Sequence, residues 1–337
     1  MLMLTFAISA FAAPLPHRVV VAGGTHGNEY TGVYVLDRLA QQKDQLKRDY
    51  PSLSVEPILA NPVAHKANRR FVDNDLNRMF TEEYLADHTM EGYEPQRAKE
   101  IVQLMGKGKG AQSDVHVCID MHTTTSNMGC TLIVNTWSPI TIRAAAYVAQ
   151  HWEVESEAEV AKAPWIAPLY VLLHDGDTQE TSPHLCSVAR DGLEIECGPT
   201  PQGLVRADVV ASTERALRLL LRYFELCAAG TPPEVPQTLE VYVDQGKVSF
   251  LEFEGGVREE SSLPAGLVAR SLQDRDFEPL RKGDPLFERL DGTILPYDGA
   301  CGEVVYPVFV NEAAYYYHQS GRGIGMTKKM EWQVPVD

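Results

Sequence analysis

The sequence predicts an α/β fold: a mixed, largely parallel sheet with flanking helices, followed by a smaller β-rich C-terminal domain. Two observations carry this. Runs rich in β-branched residues alternate with amphipathic stretches through the first two thirds of the chain, which is the pattern of parallel strands joined by crossover helices. Past a turn-rich stretch, Ala228-Ala229-Gly230-Thr231-Pro232-Pro233, helical periodicity gives way to short strands punctuated by Gly, Pro and Asp.

In order, Arg18 to Ala22 reads as a buried strand, and Glu29 to Ala40 as a helix with Val33, Leu36 and Leu39 on one face. Further strands are expected at Val55 to Ala60, Val115 to Met121, Thr131 to Asn135, Leu169 to His174 and Leu193 to Cys197. Helices are expected at Pro95 to Met105, Ile140 to His151 and Ala207 to Cys227. Leu239 to Val243 and Val304 to Val310 are the clearest strands of the second domain.

With 337 residues and 44% hydrophobic content, the chain can fill more than one core, since single cores rarely grow past roughly 250–300 residues. The expected domains are 17–230 and 231–337. Forty-six acidic against 30 basic side chains leave a net charge of −16, and no basic run is present to neutralise a row of phosphates, so nucleic acid is excluded as a partner. An anionic substrate would need arginines gathered locally at its pocket.

The six cysteines lie far apart without a C-x-x-C pair, which suits reduced thiols in the cytoplasm and argues against a cysteine zinc site. Met1 to Ala13 is apolar and ends in small residues, but it lacks a charged leading region. It is read as a lead-in extension or a mis-assigned start, with a signal segment as the alternative. No other stretch approaches the ~18 apolar residues of a membrane span.

Gly23-Gly24-Thr25-His26-Gly27-Asn28-Glu29 follows a buried strand and precedes a helix, so His26 sits in a tight glycine loop and Glu29 opens the helix. Both project at the carboxyl edge of the sheet, where open α/β folds bind ligands. His122, at the end of Cys118-Ile119-Asp120-Met121-His122, reaches the same edge from another strand. Two histidines and one carboxylate leave a fourth zinc position open for water, the arrangement of a hydrolytic site, with Asp120 placed to orient a ligand. Taken alone, an H-x-x-E is more often a solvated loop histidine beside a helix N-terminal glutamate.

Further motifs raise that reading. The His26 loop, Asp75-Leu76-Asn77-Arg78, His122-Thr123-Thr124-Thr125-Ser126-Asn127-Met128-Gly129, Ile195-Glu196-Cys197-Gly198-Pro199-Thr200-Pro201-Gln202-Gly203 and Tyr306-Pro307-Val308-Phe309-Val310-Asn311-Glu312-Ala313-Ala314-Tyr315-Tyr316 resemble, in the same order, the aspartoacylase family. The similarity runs from about Arg18 to about Tyr317. It implies a zinc-carboxypeptidase-like catalytic domain, a β-rich domain capping the pocket, one Zn2+ per subunit, and hydrolysis of a small N-acyl amino acid to a carboxylate and a free amino acid. Family members often self-associate, so a homo-oligomer is expected.

The resemblance also assigns roles. Glu196 matches the catalytic glutamate, which takes a proton from water and passes it to the departing nitrogen. Glu194, on the same strand face, is its competitor. Arg70 matches the carbonyl-polarising arginine, with the neighbouring Arg69 as the solvated member of the pair. Arg78 can grip the α-carboxylate as a planar bidentate donor, with Asn77 adding an amide N–H. Tyr315 matches a substrate-contacting tyrosine, and Tyr170 is a second candidate.

One departure bears on substrate. The family's N-acetylaspartate enzyme carries an arginine ten residues before its catalytic glutamate, gripping the side-chain carboxylate, and here that position is Cys186. A thiol cannot form that ion pair. The substitution resembles the branch acting on N-acyl aromatic amino acids and acetylated cysteine conjugates. Aspartate specificity restored by Arg190 is the alternative, and a zinc carboxypeptidase or a non-catalytic binding protein on the same scaffold are further ones.

Overall fold

The computed structural model describes residues 16–153, 167–251, 264–317 and 323–336. The apolar segment Met1 to Ala13 lies outside these residues.

The chain begins with Arg18–Gly23 (β1), Tyr30–Gln41 (α1), Lys43–Asp49 (α2), Ser54–Leu59 (β2), Pro62–Lys66 (α3), Glu82–Ala86 (α4) and Tyr93–Met105 (α5). Val117–Thr123 (β3), Gly129–Asn135 (β4), Pro139–His151 (α6), Leu169–His174 (β5), Asp191–Gly198 (β6) and Ala207–Ala228 (α7) follow. The remainder is mostly β: Thr238–Val248 (β7), Gly266–Val268 (β8), Leu280–Arg281 (β9), Pro285–Arg289 (β10), Ile294–Pro296 (β11), Val304–Val308 (β12), then Ala314–Tyr317 (α8) and Ile324–Gln333 (β13). Every strand and helix expected above is present within a few residues. The expected strand to Val310 stops at Val308 because Phe309 turns to a φ of +55°.

Ten strands form one sheet in the order β2-β1-β3-β6-β4-β5-β7-β13-β12-β9. From β2 to β7 every neighbouring pair is parallel except β6 with β4. Past the turn at Gly230, β7 returns to this same sheet, pairing Leu172 with Tyr242 and Leu173 with Val243. β10 pairs with β11 and β8 in a second, three-stranded sheet.

Period-two alternation sorts the side chains. Val19 and Val21 of β1, Ile119 and Met121 of β3, and Leu193 and Ile195 of β6 face α1, α6 and α7, where Leu36, Ile142, Leu217 and Phe224 complete the larger core. Val20, Ala22 and Cys118 face the opposite way, onto Ala98, Ile101 and Met105 of α5. Asp120 and His122 share that second face of β3, as Glu194 and Glu196 do on β6. A polar site therefore sits on a sheet whose other face is largely apolar. α1 presses closely on β3 and β1: a Cβ on Gly32 would meet the Met121 carbonyl oxygen at 2.9 Å and Gly23 Cα at 3.2 Å. No helix among the described residues is long and apolar enough to cross a membrane.

Candidate metal and catalytic site

Strand register fixes the floor. Across β3, β6, β4 and β5, one row runs His122, Glu196, Thr131, Tyr170, and the row beneath runs Asp120, Glu194, Ile133, Leu172. The loop after β1 brings His26 and Glu29 over the first row. That loop needs glycine, because a Cβ on Gly27 would lie 2.3 Å from the Ala64 carbonyl carbon and the His65 nitrogen.

Three sequence-expected ligands converge. Glu29 Oε1 lies 2.7 Å from His26 Nδ1 and Oε2 lies 3.0 Å from His122 Nδ1, while the two Nδ1 atoms are 3.2 Å apart. Each histidine turns its Nε2 to a carboxylate: His26 to Asp75 Oδ1 at 3.1 Å, His122 to Asp120 Oδ2 at 2.9 Å. A proton held on Nε2 leaves the Nδ1 lone pair facing inward, the tautomer a metal-binding imidazole needs. The three ligand atoms lie within 4.8 Å of one another. Two imidazole nitrogens and a carboxylate oxygen in a buried site fit a divalent cation. Burial opposes ionisation of Glu29, but His26 and His122 outweigh it and hold the carboxyl well below the usual range. Burial likewise opposes charge on His122, and Asp120 with Glu29 overcomes it, pushing that imidazole up. The cluster thus calls for positive charge at its centre, which a metal ion supplies.

Glu196 stands opposite His122 on the next strand, and its Oε1 is buried with no hydrogen-bond partner among the described residues. Burial first, and then the nearby Glu29 carboxylate, push its carboxyl well above the usual range. A proton-retaining carboxyl beside a metal-binding cluster has the property of a general acid and base.

Arg70 donates to Asp75 Oδ2 at 3.1 and 3.2 Å and to Glu29 Oε1 at 3.3 Å. Its neighbour Arg69 is exposed. Asn77 and Arg78 sit in a short 3-10 turn capped by Asp75, and Arg78 also faces the cavity. The approach to this turn is held by Glu94 on α5, a fully buried carboxylate accepting the backbone N–H groups of Val72, Asp73 and Asn74 at 2.6, 2.9 and 3.1 Å. Asn77 Nδ2 donates one hydrogen to Glu194 Oε1 at 3.0 Å and keeps a second.

The cavity is about 450 Å³, and the C-terminal part of the chain forms one wall through Phe309, Glu312 and Tyr315. Glu312 ties this wall to the His122 strand, accepting from the Thr124 hydroxyl and, at 2.8 Å, from the Thr125 N–H. Tyr170 stands apart from the cavity: its ring stacks on Phe277 at 4.0 Å, and it borders a separate depression with Leu239 and Tyr242. The Tyr170 expectation is therefore corrected, because Phe277 covers that end of the upper row. Cys186 is also away from the cavity, fully buried in the α5-side core, and Arg190 donates to Ser113 O at 3.0 Å rather than reaching in. Sequence reasoning passed over His174, His184 and Glu312, which all line the cavity. Only Glu312 had a signal, as part of the motif before Tyr315.

Residues 16–224 match the succinylglutamate desuccinylase/aspartoacylase catalytic domain, and residues 253–326 match the barrel-sandwich hybrid domain of the same group. The chain belongs to the succinylglutamate desuccinylase/aspartoacylase family. With it, the chain belongs to the hydrolases of amide bonds. Within the family it is similar to human N-acyl-aromatic-L-amino acid amidohydrolase, 38% identical over 95% of this chain and 92% of that one. It is also similar to rat aspartoacylase, 36% identical over 89% of each. The crystal structure of murine aminoacylase 3 superposes with a TM-score of 0.82 at 34% identity, covering 96% of this chain and 99% of that one.

Proposed function

We propose that this protein is a zinc-dependent deacylase of N-acyl amino acids, acting on those with aromatic side chains and on N-acetylated cysteine S-conjugates. The observation that carries the reading is the buried, unpartnered Glu196 carboxyl beside the convergent His26, Glu29 and His122 donor atoms. Zinc held by those three would supply a Lewis acid that polarises the scissile carbonyl and lowers the pKa of water.

The chain's own residues do the rest. Glu196 takes the proton of the attacking water and returns it to the departing nitrogen. Arg70, anchored on Asp75, presents its guanidinium where negative charge grows on the carbonyl oxygen. Arg78, with the second Asn77 hydrogen, holds the α-carboxylate, which answers the anionic substrate's repulsion by a protein of charge −16. The wall of Phe309, Glu312 and Tyr315 limits the cavity to small substrates, which speaks against a carboxypeptidase. Deacylation of N-acetylaspartate would require a cation for the second carboxylate; neither Cys186 nor Arg190 meets the cavity, where Lys247 is the one lysine or arginine besides Arg70 and Arg78 among the described residues. Six unpaired cysteines suit a cytoplasmic protein.

The test is metal dependence. Chelation should abolish turnover of N-acetyltyrosine, one equivalent of zinc should restore it, and His26→Ala should prevent the restoration. Full turnover after chelation, with metal content at zero, would overturn the proposal.

A further inference from the structure

The lower row of the cavity floor is unlike the upper one. Once Arg70 and Arg78 have taken the acyl carbonyl and the α-carboxylate, what remains for the amino acid's side chain is the lower row of the sheet. There Glu194 lies directly beside Ile133, and Ile133 beside Leu172. All three line the cavity, as do His174 and His184. Two aliphatic side chains make a flat apolar bed, and a carboxylate stands at its edge.

That carboxylate is only partly used. Glu194 Oε1 accepts from Asn77 Nδ2 at 3.0 Å and from the Cys186 thiol at 4.0 Å, whereas Oε2 takes no hydrogen bond among the described residues. His184 Nδ1 lies 3.4 Å from Glu194 Oε1, yet it is buried with no hydrogen-bond partner there. Burial keeps His184 neutral, lowering it to about 3, so its ring carries one N–H and one lone pair and adds no charge beside Glu194. A carboxylate oxygen without a hydrogen bond, beside a neutral imidazole at the rim of an apolar bed, describes a ligand group that is flat, apolar and edged by one polar hydrogen.

Resting on the deacylase reading above, we propose that Glu194 and His184 form the side-chain subsite, selecting aromatic side chains that carry an N–H or O–H donor and rejecting carboxylates. Indole, imidazole and phenol rings meet both demands: the ring covers Ile133 and Leu172, and the polar hydrogen reaches Glu194 Oε2. A phenyl ring leaves Glu194 Oε2 unpaired. An aspartyl side chain sets a second carboxylate against a buried first one.

The experiment measures kcat/KM for N-acetyltryptophan, N-acetylphenylalanine and N-acetylaspartate with the zinc-loaded wild type, Glu194→Gln and Glu194→Ser. A hydrogen bond to a buried charged acceptor changes specificity by about tenfold or more, so wild type should favour tryptophan over phenylalanine by at least that factor. Both variants should collapse this ratio towards one and raise aspartate relative to phenylalanine. A general folding defect would lower all three rates without moving their ratios, so the ratios are the readout. Wild-type ratios near one, or ratios unmoved in either variant while phenylalanine is still turned over, would overturn the subsite. Absence of turnover with all three substrates would instead strike at the deacylase reading.

Discussion

His122 Nε2 lies 2.9 Å from Asp120 Oδ2, two positions back on the same face of β3, and Thr25 Oγ1 in turn donates to that carboxylate at 2.8 and 2.9 Å. The chain from Thr25 through Asp120 to His122 sets which imidazole nitrogen faces Glu29. Replacing Asp120 by Asn removes the charge that makes His122 a strong ligand. Metal affinity should fall by about 10- to 100-fold, measured by competition with a chromogenic chelator. Unchanged affinity would mean that Asp120 only fills space.

Glu196 has a different signature. In Glu196→Gln the proton relay is lost while the metal ligands stay intact, so kcat should drop by about 10²–10⁴ with zinc stoichiometry unchanged. A proportionate loss of zinc would place Glu196 among the ligands instead.

The His26 loop depends on a close backbone approach. A Cβ at Gly27 would meet backbone atoms of Ala64 and His65 at 2.3 Å, and backbone cannot yield as a side chain tip can. Gly27→Ala should cost about 1–3 kcal/mol in denaturant unfolding and weaken zinc binding as well, because His26 moves with the loop. Wild-type stability would show that the loop tolerates the shift.

Asp276 joins the segment after β12 to the segment after β3, accepting the Val310 N–H at 2.9 Å and the Asn127 N–H at 3.1 Å. Burial outweighs these bonds and pushes its carboxyl up to about 7, against an ordinary 3.8. The folded state therefore holds this proton where the unfolded chain has lost it. The associated stability is complete below about pH 4 and falls as pH rises through 7, by about 2–4 kcal/mol. Asp276→Asn, unable to titrate, should flatten that slope in urea melts between pH 4 and 8. A slope identical to wild type would assign it to other groups.

Much of this was legible in the sequence, for physical reasons. The β1 loop is recognisable because glycines at a strand end leave His26 and Glu29 few other directions, and alternation along β3 and β6 places Asp120, His122, Glu194 and Glu196 on one face. The lower row was not legible, since the adjacency of Glu194 to Ile133 comes from pairing with β4, the one antiparallel neighbour in that half of the sheet. Tyr170 misled because period two puts it on the cavity face, whereas its cover, Phe277, comes from more than a hundred residues downstream. Glu94 and His184 lie in segments whose local pattern carries no mark of the long-range contacts that give them meaning.

The most direct measurement is kcat/KM of the zinc-loaded protein for N-acetyltyrosine, an N-acetyl-S-alkylcysteine and N-acetylaspartate, with Glu196→Ala as the blank. The account predicts turnover of the first two well above aspartate and none in the blank. No turnover of any of the three with one equivalent of zinc bound would contradict it.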